Sequence, residues 1–168
     1  MNIVKITRLG ACCPLYINAA EKREYQRRAM KILQNNELGE EIRSYWTERA
    51  KGYSEYNQQE MADARRIMWK RKLLSLLEEK FPGRKPSEIR ILDAGTGPGF
   101  FAILLAESGY QVTAVDATEE MLKEAKHNAG ELAGGIVWKT EDVQKLHVDN
   151  DSFDAVVTRN VTWNLPDP

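Results

Sequence analysis

The residues with the most chemistry in them form one short run, Asp93-Ala94-Gly95-Thr96-Gly97-Pro98-Gly99. Gly95 and Gly97 let the backbone turn sharply and approach a ligand without a Cβ in the way. Gly99 opens the following segment and permits close helix–strand packing, and Pro98 is tolerated in a first helical turn. A dinucleotide fingerprint reads G-x-G-x-x-G; counted from Gly95, its third glycine would fall where this chain has Phe100. The pattern here is G-x-G-x-G. Asp93 precedes the first glycine, where it would repel a pyrophosphate and attract a cation or an ammonium group.

Two further acidic positions follow. Asp116 ends an apolar run, where a carboxylate can accept from two ribose hydroxyls and discriminate against a ribose phosphate. Glu141-Asp142-Val143 ends the next apolar run; an acid there can accept from the amino group of an adenine, with Val143 as an apolar wall. Each carboxylate has a plainer reading, Asp116 at a helix N-terminus and Asp142 as a solvated loop acid.

These residues need a scaffold, and the pattern around them supplies one. Residues 89–94 read as a buried strand, 111–116 as a second strand, 136–142 as a third and 153–161 as a fourth. Between them lie a helix over 99–109, closed by Gly109, and a helix from Glu119, N-capped by Thr118 and ended by Gly134-Gly135. This alternation predicts an α/β fold with a parallel sheet and right-handed crossovers. Upstream, residues 1–19 show no period and read as a loosely held extension. A charged surface helix is expected over 20–35 and a second short helix over 40–53. A long helix is expected over 56–80, with Met61, Ala64, Met68, Leu73, Leu74 and Leu77 on one face. The prolines and glycine of residues 81–88 then break the chain.

Composition sets limits. The 168 residues suffice for one core, and 24 basic against 25 acidic residues give a net charge of -1, so no basic field points to nucleic acid. Cys12 and Cys13 are adjacent and form no CxxC, so no metal site is expected and a reducing, cytoplasmic location fits. No stretch has the length and apolarity of a membrane span, and residues 1–8 lack the apolar core of a signal peptide. His127 and His147 are the only histidines; both read as surface residues, which leaves no assigned catalytic group.

Taken together, "ILDAGTGPG", "VTAVDATEEML", "TEDVQKL" and "FDAVVTRNVTWNLPDP", in that order, resemble the class I S-adenosylmethionine-dependent methyltransferases of small molecules, over roughly residues 45–168. The resemblance implies a Rossmann-like sheet of strand order 3-2-1-4. It implies that Asp93, Ala94, Gly95, Thr96, Gly97 and Gly99 surround the amino-acid part of S-adenosylmethionine. Asp116 and Ala117 would lie at the ribose, Met121, Asp142 and Val143 at the adenine, and Arg159 and Asn160 beside the methyl group. "SYWTERAKGYSEY" resembles a helix folded over the cofactor, from which Tyr45, Arg49 and Tyr53 can reach its methionine end; aromatic residues at such spacing also commonly pack in a core. The implied activity is methyl transfer to a small-molecule acceptor, without nucleic acid or membrane.

The resemblance divides the chain into an extension, residues 1–38, and a partial cofactor-binding domain, residues 39–168. The family continues beyond the fourth strand with three more, which this chain lacks; the expectation is a C-terminal truncation with strand 4 as a bare edge, open to a homodimer or a partner chain. Two other readings stay open at this point: a binding module that completes its sheet with another chain, and an NAD-dependent oxidoreductase.

Overall fold

The structure is a computed structural model that describes residues 2–3 and 37–161 of the 168. The helix expected over 20–35 and the cysteine pair lie outside those residues. The elements are β1 (Asn2–Ile3), α1 (Glu37–Ala62), α2 (Ala64–Lys80), β2 (Arg90–Ala94), α3 (Phe100–Ala106), β3 (Gln111–Asp116), α4 (Glu119–Ala129), β4 (Ile136–Thr140) and β5 (Ala155–Val157). A 3₁₀ turn at Pro86–Glu88 precedes β2, and another at Gly130–Gly135 follows α4.

All strand pairs are parallel, in the order β1-β5-β2-β3-β4. The four core strands therefore have the expected 3-2-1-4 arrangement. The outer edge of β5 is not bare: Asn2 and Ile3 pair with Ala155 and Val156. That corrects the expectation of strand 4 as a bare edge.

β2 is the central strand and is buried from Ile91 onward. Ile91 points into the larger core with Phe101, Leu104, Leu105, Ala114 and Val157, against Trp69, Leu73 and Leu77 of α2. On the other face, Leu92, Ala94 and Val115 meet Val143, Leu146 and Phe153. Successive residues of a strand face opposite ways, so this short apolar strand feeds both layers.

Several boundaries differ from the sequence expectation, each for a visible reason. The two expected helices over 40–53 and 56–80 become α1 and α2 with a break at Asp63. Asp63 is extended (φ -116°, ψ -176°) and its carboxylate accepts from Arg65 N, a cap that restarts the helix in a new phase. The buried face of α2 is consequently Trp69, Leu73 and Leu77, while Met68 is turned outward. β4 stops at Thr140 because Asp142 Oδ1 accepts from Gln144 N at 2.9 Å and turns the chain. β5 is only three residues long. Asp154 before it is held by Arg84, Arg90 and the Arg90 backbone N–H, and Asn160 after it has φ +60°. The expected Thr118 cap is present, accepting from Met121 N at 3.4 Å, and Gly109 is left-handed at φ +85°.

Gly99 caps α3 at φ +91°, and a Cβ there would lie 3.1 Å from Ala125 Cβ. The close neighbour is α4, so Gly99 serves helix–helix packing rather than the expected helix–strand packing. Gly99→Ala combines left-handed strain with that crowding. It should lower stability by roughly 1–3 kcal/mol in urea unfolding, and an unchanged midpoint would contradict this account of the turn.

Candidate active site

The carboxyl ends of β2, β3 and β4 open on the same side of the sheet, where α/β proteins bind ligands. The glycine turn after β2 is hung from β3: Gly95 N and Thr96 N both donate to Val115 O, at 2.9 and 2.8 Å. Gly97 N donates to Asp116 Oδ2 at 2.9 Å. From below, Asp93 Oδ2 accepts from Thr96 Oγ1 at 2.7 Å and from Ala102 N at 3.0 Å. Asp93 thus holds both the turn and the first turn of α3, whose backbone N–H groups have no partner within the helix.

Burial dominates the electrostatics. Asp93 is 1% exposed. Desolvation pushes its pKa up to about 7, against the opposing hydrogen bonds from Thr96 and Ala102. Asp116 is also raised by desolvation, opposed by the N–H groups of Thr118 and Gly97. Asp116 Oδ1 accepts from Thr118 N and Oγ1 at 3.0 and 3.1 Å.

One cavity collects these residues. Its floor includes Asp93, Gly95, Thr96, Gly97, Asp116, Ala117, Met121, Asp142 and Val143, and the loop after β5 adds Arg159 and Asn160. Of the residues expected at a site, Ala94 packs into the core instead, and Gly99 sits under Ala125. The loop after β5 comes close to the turn: a Cβ on Gly95 would meet Val161 Cγ2 at 2.3 Å. Glycine is therefore required at Gly95 by proximity as well as by its φ of +71°.

The roof is α1. Gly39, Ile42, Arg43, Trp46, Tyr53 and Asn57 line the cavity, a stripe at helical spacing. The Tyr53 ring lies 3.5 Å from the position a Gly97 Cβ would take. Tyr45 and Arg49 are not on this lining. Arg49 stacks on the Tyr45 ring at 4.5 Å, and Tyr45 meets Trp46 edge-on at 5.2 Å. Trp46, two turns before Tyr53, holds the inward position; counting by 3.6 from Tyr53 would have found it.

Two contacts fasten the roof. Asn128 Nδ2 donates to Pro98 O and to Ser54 Oγ, both at 3.0 Å, and Asn128 Oδ1 accepts from Gln58 Nε2 at 2.8 Å. Arg159 Nη2 donates to both oxygens of Glu60 at 2.7 and 2.9 Å, with its guanidinium 4.5 Å from the Phe100 ring centre. Arg159, expected beside a methyl group, lines the cavity with its charge committed to Glu60. Neither histidine is on the lining. Among the described residues no cluster could hold a metal ion, and no helix is long and apolar enough to cross a membrane.

Residues 91–168 match the family model described as Methyltransferase domain. Over those residues the chain is similar to a methyltransferase domain. It is 33% identical over 85 residues to the ubiquinone biosynthesis O-methyltransferase of Xanthomonas axonopodis pv. citri, covering 50% of this chain and 36% of that one. To the enzyme of the same name from Caulobacter sp. (strain K31) it is 35% identical over 97 residues, covering 56% and 38%. The chain thus spans a little over a third of the length of these curated relatives. Magnesium protoporphyrin IX methyltransferase from Synechocystis PCC 6803, solved with bound SAM, shares its fold at 23% identity and TM-score 0.57, over 77% of this chain and 64% of that one.

Two outcomes follow from the domain's electrostatics. Because the folded pKa of Asp93 lies near 7 and the unfolded value near 3.8, the folded state binds more protons between those values. Its stability contribution is full below about pH 4 and is lost as pH rises to about 7. Asp93→Asn should flatten that slope in urea unfolding from pH 4.5 to 8; parallel profiles would place the titration elsewhere. Glu60→Ala leaves Arg159 without its counter-charge and should cost about 3–5 kcal/mol. A loss within 0.5 kcal/mol, the range of ordinary surface changes, would mean that the pair does not fasten α1.

Proposed function

We propose that this chain holds S-adenosylmethionine in the cavity under α1 and places its methyl group for transfer to a small-molecule acceptor. The observation that carries this reading is the meeting of three carboxylates, Asp93, Asp116 and Asp142, from the ends of three neighbouring strands, on one cavity with the glycine turn. The cofactor offers matching donors: an ammonium group, a ribose diol and an adenine amine. The cradle fits as well, since Gly97 presents backbone to the cavity under Tyr53, where a side chain would take up the ligand's space.

When bound, the cofactor supplies a methyl group already activated by a sulfonium. What the chain's residues must do is hold and enclose. Asp93, ionised, faces the ammonium. Asp116 keeps lone pairs free beyond those used by Gly97 and Thr118, since a carboxylate accepts about four hydrogen bonds. Asp142 takes the adenine amine between Met121 and Val143. Trp46 and Tyr53 exclude water from above. Such positioning contributes on the order of 7–11 kcal/mol in favourable cases. With no histidine on the lining, the reading favours an acceptor that needs no strong base.

The names of the curated relatives support an O-methyl transfer, and their acceptors are their own. Asp93 and Phe100 both weigh against a dinucleotide. Association of two copies through β5 is less favoured than the sequence suggested, because Asn2–Ile3 occupy its outer edge.

Calorimetric titration tests the reading. S-adenosylhomocysteine should bind with micromolar affinity and NAD not at all; the reverse preference would overturn the proposal. Asp142→Ala should weaken S-adenosylhomocysteine binding by about tenfold, the worth of a hydrogen bond to a charged group. Affinity should also rise as pH increases through about 7, because the ammonium favours ionised Asp93. A flat pH profile would remove Asp93 from the ligand's contacts.

A further inference from the structure

Asn57 occupies the cavity lining one turn after Tyr53 and three residues before Glu60. It is 3% exposed, and its Oδ1 is buried without a hydrogen-bond partner. An unsatisfied buried carbonyl costs roughly 1–3 kcal/mol, and buried polar groups in folded proteins are nearly always paired. The neighbouring polar residues of the same helix face all have partners. Ser54 bonds Asn128 and Glu60 bonds Arg159. Asn57 alone among these three carries an orphaned acceptor, and it does so on the wall of the cavity.

Its place along the helix says which part of a ligand it meets. Tyr53 lies over Gly97, and Glu60 grips Arg159 of the loop after β5. Asn57 falls between them along the helix and shares the cavity lining with Asp93 and the glycine turn. A carbonyl on a lining shared with Asp93 suits a cationic N–H donor, and a charge-assisted hydrogen bond is the stronger kind.

We infer that Asn57 binds the α-ammonium group of the amino-acid end of the cofactor, from the side opposite Asp93. The inference rests on the cofactor reading above. Asp93 supplies charge from the floor and Asn57 supplies a neutral acceptor from the roof. One ammonium group, with three N–H donors, satisfies both and ties α1 to the sheet through the ligand.

The test compares two ligands that share adenine, ribose and a thioether. S-adenosylhomocysteine carries the amino-acid end, and 5′-deoxy-5′-methylthioadenosine lacks it. In Asn57→Leu, affinity for S-adenosylhomocysteine should fall at least about tenfold, while affinity for methylthioadenosine stays within about twofold. Equal losses for both ligands, or no loss for either, would overturn the assignment. Asn57→Ala should show the same split and serves as the second variant if the leucine form does not melt cooperatively. If the unaltered chain binds neither ligand, the cofactor reading itself falls and this inference with it. If the unaltered chain binds both and the variants show no split, only the role of Asn57 falls.

Discussion

Oδ2 of Asp93 accepts two hydrogen bonds in a place water does not reach, and what lies above the sheet depends on them. One bond fixes the glycine turn through Thr96, and the other fixes α3 through Ala102. The turn in turn presents Gly97 N to Asp116 and Pro98 O to Asn128. The first contact sets the distance between the ends of β2 and β3, and the second draws α1 down through Ser54 and Gln58. A buried carboxylate is costly unless it is hydrogen-bonded. Here the helix terminus below the turn provides one of the donors.

The roof is held by a different kind of contact. Glu60 and Arg159 form a nearly buried ion pair resting on Phe100, Phe101 and Trp69. Pairs of this kind add little net stability, yet losing one partner is severe. The arrangement therefore specifies where α1 lies more than it strengthens the fold. It also removes a free positive charge from a cavity whose proposed ligand carries one of its own.

Much of this was legible in the sequence. Three strand ends followed by a glycine turn or an acid put Asp93, Asp116 and Asp142 on one side, and the resemblance carried by four motifs in order implied the sheet order. Thr118 and Gly109 behave as local rules say they should. The rest depends on long-range geometry. The helix break at Asp63 shifted the phase of α2 and turned Met68 outward in favour of Trp69. Tyr45 and Arg49 share a helix with Tyr53 but do not line the cavity, and only the packing of α1 on α4 decides that. Glu60 and Asn57 carry no motif. Their roles come from Arg159, 99 residues away from Glu60, and from a cavity that exists only in the folded chain.

That separation has a kinetic consequence. Chain ends so far apart in sequence are expensive to bring together, and long-range contacts slow folding. The Glu60–Arg159 contact joins the helix that precedes the sheet to the loop that follows its last core strand, so the cavity is sealed only after the strands between have found their register. Interactions made that late are missing from the folding transition state and act on the unfolding rate. A molecule held under α1 would lengthen the lifetime of the folded chain and leave the speed of its formation unchanged.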